Sequence, residues 1–231
     1  MTFFITDIHG DDVGLECLLE HAQVDFNRDL LIFGGDMIDR GSGNAKVIRR
    51  IQELTEAFPE HVIALLGNHE EMALAYYWNG DKLWLQHGGR ETLRDWEKAF
   101  SKEQINGLLQ WMNNLPVVYE TESYIFTHAG LNPGESLLQQ GRDILWMPES
   151  EFYGIPREEL FALTGQRPVV HGHTPVERIY FDGVRLNCDL GSNTYPIIEA
   201  RGLCLVELEQ MIYHVYLPSK GRIETRTIGR F

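Results

Sequence analysis

The sequence predicts an α/β fold, and three observations carry the prediction. Short apolar runs alternate with helically periodic segments through the first half of the 231 residues. Those runs repeatedly end in Asp, Asn or His. The last third turns to closely spaced strand-like runs, with a hairpin signal at Asp182-Gly183. The βαβαβ beginning implies parallel strands joined by helical crossovers, and the Asp-Gly pair implies antiparallel pairing later.

In order along the chain, "TFFITDI" reads as a strand, and "DDVGLECLLEHA" as a helix behind an Asp cap with Leu15, Leu18, Leu19 and Ala22 on one face. "DLLIFGGD" is the second strand. "NAKVIRRIQELTEAF" follows as a helix with Val47, Ile48, Ile51 and Leu54 inward, and "HVIALLGN" as the third strand. A helical, aromatic subregion covers about 71–116 and holds Trp78, Trp84, Trp96 and Trp111, four of the five tryptophans. Core packing is expected for most of them, with a substrate-facing wall left to one or two. Within it Ser101 and Gln104 form a capping box ahead of Ile105, Leu108, Leu109 and Met112. Strands resume with "VVYETESYIFTHAG", "RPVVHGHTP", "RIYFDGVRLNCDLG", "GLCLVELEQMIYHVYL" and "RIETRTIG". Repeats, low-complexity tracts and linkers are absent, so one domain spanning 1–231 is expected.

Composition narrows the function classes. At 43% apolar residues the chain can bury a full core, and no run nears the roughly 18 apolar residues of a membrane span. The first residues lack the charged and apolar regions of a secretory signal. Cys17, Cys188 and Cys204 form no Cys-x-x-Cys, which disfavours disulfides and zinc thiolates and fits a cytoplasmic location. A net charge of −14 argues against binding a nucleic-acid backbone. It leaves phosphate chemistry open, because cations held in a pocket reverse the local sign.

The informative residues are the polar ones at the strand ends. Asp7-Ile8-His9 follows the first strand. Gly34-Gly35-Asp36 follows the second, with Asp39-Arg40-Gly41 just beyond. Asn68-His69 follows the third, His128 ends "YIFTHAG", and His171-Gly172-His173 ends "RPVVHGH". In α/β sheets ligands gather beyond the carboxyl ends of strands, so these clusters are expected to converge. Singly each has an ordinary reading: Asp7 and Asp36 as helix caps, Asn68 as a turn residue, His128 as a core imidazole. Together they present carboxylate, imidazole and amide donors without thiolate, a set suited to manganese, iron or zinc. Asp7, His9, Asp36, Asn68, His128 and His173 are too many ligands for one open ion. Two ions about 3.5–4 Å apart fit, a pair that clamps both oxygens of an in-line displacement at phosphorus and supplies hydroxide near neutral pH.

The blocks "DIHG", "GGDMIDRG", "GNHE", "THAG" and "GHTP" resemble, in order and spacing, the calcineurin-like metallophosphoesterases, and among them the bacterial and phage phosphoprotein phosphatases. The resemblance runs from Asp7 to about Gly191, with "WLQHGGRETL" as support. It implies a four-layer sandwich of two mixed β-sheets flanked by helices. It also implies two divalent ions, manganese first, with iron or zinc as alternatives. Asp7 and His9 are then ligands of the first ion, Asp36 the bridge, and Asn68, His128 and His173 ligands of the second. His69 is the implied general acid, Asp39 its partner, and Arg40 the phosphate-binding arginine. Arg40 and Asn68 would contact substrate, and a carboxylate partner favours a protonated imidazole.

Three positions depart from that family pattern. Leu66 stands where the protein phosphatases carry an arginine before GNHE, and Pro148 where a second follows a tryptophan. Arg142 and Arg157 are candidate replacements, though neither matches by position. His171 replaces an apolar residue or arginine, and a supporting or substrate-binding role is weighed for it against packing at the sheet edge. The leading expectation is a phosphomonoesterase acting on phosphoserine, phosphothreonine or phosphotyrosine in proteins, or on a small phosphoester. Hydrolysis of a dinucleoside polyphosphate such as diadenosine tetraphosphate is the alternative. A binding module that has lost catalysis comes third, since every ligand is present.

Overall fold

The computed structural model describes residues 1–230; Phe231, the last position of the expected domain, lies outside the described residues. The chain begins β1 (Thr2–Ile5), α1 (Asp12–His21), β2 (Leu30–Phe33), α2 (Asn44–Ala57) and β3 (Val62–Ala64), with β1, β2 and β3 paired in parallel. Helices α3 (Asn68–Asn79), α4 (Gly89–Ala99) and α5 (Lys102–Asn113) make up the helical subregion. Next come β4 (Val118–Glu120), β5 (Ile125–Thr127), α6 (Glu149–Phe152), α7 (Arg157–Thr164) and β6 (Val169–His171). The chain continues through β7 (Tyr180–Phe181), β8 (Arg185–Asn187), β9 (Leu203–Glu207), β10 (Ile212–Leu217), β11 (Arg222–Thr227) and β12 (Gly229–Arg230).

These strands form two six-stranded mixed sheets, ordered β11-β10-β9-β1-β2-β3 and β12-β7-β8-β6-β5-β4. The late strands pair antiparallel as β9 with β10, β10 with β11 and β7 with β8, the last around the Asp182-Gly183 turn, where Gly183 has φ +90°. Strand alternation explains the layering. Phe3 and Ile5 of β1 pack outward under α1 and α2 with Leu15, Leu18, Val47, Ile48 and Ile51, while Phe4 between them points inward. Phe4, Ile32, Phe126, Val170, Leu186 and Val206 fill the space between the sheets. Ile125 and Val169 pack on the other side against Phe152 and Leu160 of α6 and α7. The result is the four-layer sandwich that the resemblance implied.

The helix ends follow the expected chemistry. Asp11 caps α1 by accepting from Gly14 N at 2.8 Å, and Ser101 and Gln104 close a reciprocal box on α5. Neither Asp7 nor Asp36 caps the helix that follows it, since Asp11 and Gly43 are the N-caps of α1 and α2; Asp36 Oδ1 instead accepts from His69 N, in the first turn of α3, at 3.0 Å.

Candidate metal centre

The loops leaving β1, β2 and β3 of one sheet and β5 and β6 of the other meet at one place. Their turns are tight. Asp7, His9, Asp36, Asp39, Arg40 and His173 have positive φ, six of the ten non-glycine residues that do among the described residues. Such a conformation costs on the order of 1 kcal/mol or more per residue, and it clusters where surrounding structure holds functional groups in place. Close approach does the rest. A Cβ on Gly172 would lie 2.1 Å from an Asp7 oxygen, so only glycine allows the His173 loop to lie on the β1 loop.

Asp36 sits at the middle. Its Oδ2 is 3.7 Å from His9 Nε2 and 3.9 Å from His69 Nε2, while its Oδ1 is 3.4 Å from His128 Nε2. Two sets of donor atoms close enough to hold an ion therefore share this residue: His9, Asp36 and His69 on one side, and Asp36, His128 and His173 on the other. Asp7 completes the first side. Its Oδ2 accepts from Thr6 Oγ1 and His173 N at 2.7 and 2.9 Å, whereas Oδ1, buried and 4.0 Å from His9 Nε2, has no hydrogen-bond partner among the described residues.

The donor set fits cations. His9 and His128 each present Nδ1 to a backbone carbonyl, Ile38 and Gly34 respectively, at 2.9 Å, which fixes the tautomer with the Nε2 lone pair facing inward. His173 Nδ1 faces His128 Nε2 at 3.2 Å. The Asn68 amide oxygen meets only acceptors: His128 Nε2 at 3.0 Å, the two Asp36 oxygens at 3.1 and 3.2 Å, and His173 Nδ1 at 3.3 Å. Without a cation the amide nitrogen would be the better group to turn inward. With one, the oxygen is the ligand. Burial pushes His9 downward and takes His173 down to about 3, the neutral form that ligates. Burial and Asp7 push Asp36 upward, the cost of placing carboxylates side by side without positive charge.

A second constellation adjoins the first. His69 Nδ1 lies 2.6 Å from Asp39 Oδ2, leaving Nε2 to face the centre. Asp39, fully buried, also accepts from Trp84 Nε1 at 2.9 Å and Thr92 Oγ1 at 2.5 Å, and burial pushes its carboxyl up to about 7. Arg40 stands at the exposed lip, with Nη1 2.5 Å from His9 Nε2 and 2.6 Å from Thr194 Oγ1, and Nη2 3.0 Å from His69 Nε2. Burial, then the Arg40 guanidinium, push His69 well below the usual histidine range. Asp39 was expected to favour protonated His69; in this arrangement desolvation and the adjacent cation outweigh it.

The family model for calcineurin-like phosphoesterase matches residues 2–197. The chain is a calcineurin-like phosphoesterase. It is accordingly a metal-dependent phosphoric ester hydrolase, and divalent ions are the cofactors that its acceptor-lined centre suits. The symmetrical bis(5'-nucleosyl)-tetraphosphatase of Vibrio parahaemolyticus serotype O3:K6 is 23% identical across 99% of this chain and 89% of its own length. The same-named protein of Buchnera aphidicola subsp. Baizongia pistaciae is 31% identical over 134 residues, 57% of this chain. That match spans only 44% of the Buchnera protein. A protein serine/threonine phosphatase from Saccharomyces cerevisiae shares the fold at a TM-score of 0.68 and 16% identity, over 98% of this chain and 79% of that one.

In this phosphoesterase the structure brings together Asp7, His9, Asp36, Asp39, Arg40, Asn68, His69, His128 and His173. His171 is the correction. Its ring packs edge-on against Phe152, 5.0 Å between centroids, and bonds to Tyr153 Oη at 3.3 Å and to the Gly172 carbonyl at 3.1 Å. Burial takes it down to about 4, and at 2% exposure it packs with Phe152 and Tyr153 under α6 and not in the centre. The physical reason is the turn at Gly172, which breaks the strand alternation that would have kept His171 and His173 on one side. The candidate replacement arginines are engaged elsewhere: Arg142 bonds to Asn113, and Arg157 lies against Gly183.

Several supporting residues were not singled out in the sequence. Glu70, fully buried, accepts from Asp36 N and Met37 N at 2.9 Å, Gly67 N at 3.0 Å and Ile38 N at 3.3 Å, stitching the GNHE turn to the Asp36 loop. Its place three residues after Gly67 at the start of α3 was the available signal. Asn44 holds the Asp39 turn through Asp39 N and the Gly41 carbonyl, both at 2.8 Å. The loop after β8 braces the β1 loop, with Ser192 Oγ on the Ile8 carbonyl and Asn193 Nδ2 on that of His9. No local pattern announces those last contacts, because they join residues 184 positions apart.

Proposed function

We propose that this phosphoesterase hydrolyses dinucleoside tetraphosphates, cutting the tetraphosphate at its centre to give two nucleoside diphosphates. The reading reverses the order expected from the sequence, which placed phosphoprotein substrates first. Its main support is the description of the relatives matched along the chain. The two missing arginines agree. Leu66 is buried in the core, Pro148 precedes α6, and Arg40 is the arginine bonded to groups of the centre. A site with one guanidinium has lost cationic contacts that the protein phosphatases of this family use.

Asp7 and His9 would hold one divalent ion, Asn68, His128 and His173 a second, and Asp36 both. Manganese is the first ion to test. Such ions, when bound, neutralise phosphate charge and lower the pKa of the attacking water. Arg40 swings from the imidazoles of His9 and His69 onto phosphate oxygens as substrate enters, a bidentate fork on a tetrahedral anion. Once Arg40 has left it, His69 takes up a proton at Nε2, with Nδ1–H held by Asp39, and delivers that proton to the departing oxygen as the bridging P–O bond breaks and the new P–O bond forms. The complete ligand set and the intact His69–Asp39 pair count against a binding module without catalysis.

Product analysis tests the reading. Manganese-loaded protein should release nucleoside diphosphate from diadenosine tetraphosphate with a kcat/KM well above that for orthophosphate release from phosphoserine, phosphothreonine and phosphotyrosine peptides. The opposite ranking returns the chain to the protein phosphatases. No turnover of either substrate, with the metals bound, makes it a binding module.

A further inference from the structure

We propose that the exposed face of Trp146 is a stacking platform for a nucleobase of the substrate, set at the rim of the metal centre. The inference rests on the nucleotide reading above and names the contact that recognises the base. Trp146 ends a short 3-10 turn, Arg142–Trp146, in which Ile144 and Leu145 are completely buried while the indole is 39% exposed. Its orientation is fixed all the same. Nε1 donates to Glu71 Oε2 at 2.6 Å, so the ring is anchored by its edge and offers its face.

Two independent contacts place that face. Glu71 lies in the first turn of α3, three residues after Asn68, and residues so spaced are neighbours on a helix surface. On the other flank Met147 Sδ lies against Gly130, close enough that a Cβ there would be 2.4 Å away, and Gly130 follows His128 by two residues. The indole is thus tied to the helix that supplies Asn68, and its chain neighbour Met147 packs on the segment that supplies His128. The residue after Met147 is Pro148, and the charged group that meets the indole is the Glu71 carboxylate. A flat, anchored aromatic surface beside a carboxylate is no place for a further phosphate. It suits a flat, uncharged ring bearing amine donors, which describes a purine. Base stacking on an aromatic side chain commonly changes affinity by about tenfold or more.

The test uses the manganese-loaded full chain and reads inhibition of p-nitrophenyl phosphate hydrolysis by ADP and by pyrophosphate. Trp146→Ala should weaken ADP inhibition about tenfold and move pyrophosphate inhibition less than about twofold, while Trp146→Phe, which keeps a ring, stays within about threefold of wild type. Because inhibition constants are compared, a change in turnover does not confuse the result. Equal weakening toward both inhibitors, unchanged ADP inhibition in Trp146→Ala, or wild type indifferent to ADP overturns the platform. A phosphotyrosine peptide that loses affinity in Trp146→Ala while ADP does not would assign the ring to a peptide and overturn it too. The tetraphosphatase reading fails separately, on wild-type product analysis, so the two failures are distinguishable.

Discussion

On the Asn68, His128 and His173 side of Asp36, the Asn68 oxygen and the ring nitrogens of His128 and His173 face one spot, and among the described residues no arginine or lysine bonds to them. On the His9 and His69 side the lone pairs face a guanidinium, and one of the two imidazoles is backed by a buried carboxylate. The first side is a cage. The second is a cage plus machinery for an anion and a proton. Asp36, facing both, is the residue through which damage on either side reaches the other. This asymmetry makes unequal mutational effects the expectation, and the sharpest way to break it is at the shared residue.

The largest effect is expected from Asp36→Asn. The substitution keeps the shape and removes the charge shared by both sets of donors, so elemental analysis should find both ions depleted and turnover reduced by about 10³-fold or more. Retention of two full equivalents of metal would mean that the two sides are independent. His69→Asn comes next. It should leave metal content intact and depress kcat by about 10²–10⁴-fold, most for substrates with poor leaving groups, because the residue handles the proton. Loss of one equivalent of metal would instead enlist His69 as a ligand beside His9 and Asp36, an arrangement its Nε2 position also allows.

The cage was far more legible in the sequence than its supports. Asp7, His9, Asp36, Asn68, His128 and His173 each follow an apolar run, and the strand ends of the two packed sheets meet at one edge of the sandwich. The first five elements, the Asp11 cap, the Ser101 box and the Asp-Gly hairpin were readable because each depends on residues a few positions apart. Trp84 and Thr92 were not, since their common partner is Asp39, 45 and 53 residues earlier, and Trp84 read as core. Both meanings hold: its indole packs with Tyr76, Tyr77 and Trp96 while its N–H reaches Asp39. Trp96 fits the plain core reading, fully buried, and Trp78 stays half-exposed on α3. His171 misled because alternation was carried through a glycine turn.

Glu70 offers an intermediate test, because it touches backbone on both sides of Asp36 without facing the centre. Burial, with Asp36 beside it, pushes its carboxyl up to about 8, while His128 and the Met37 and Asp36 amides pull it back. Glu70→Gln turns an amide NH₂ toward those N–H groups. The expected cost is about 2 kcal/mol of stability, seen as a melting temperature lowered by roughly 4–8 °C, with weaker binding of both metals. Loss of metal from one side only would show that Glu70 supports a single loop and that the Asp36 hinge is stiffer than its hydrogen bonds suggest.

The smallest effect should come from Thr92→Val, and it probes what the helical subregion adds to the proton-handling side. Valine fills nearly the same space, so packing beside Trp84 and Trp96 is kept, and only the hydroxyl donated to Asp39 Oδ1 is lost. Trp84 Nε1 still donates to both Asp39 oxygens, at 3.1 and 2.9 Å, so the carboxylate stays in reach of His69 with one restraint fewer. Turnover should fall about three- to tenfold for poor leaving groups and hardly at all for p-nitrophenol, with KM and metal content unchanged, since neither ion nor phosphate contacts Thr92. A uniform fall across leaving groups would mean that Asp39 acts on the centre by charge and not by orienting His69. The two-sided picture would then have to place Asp39 with the cage.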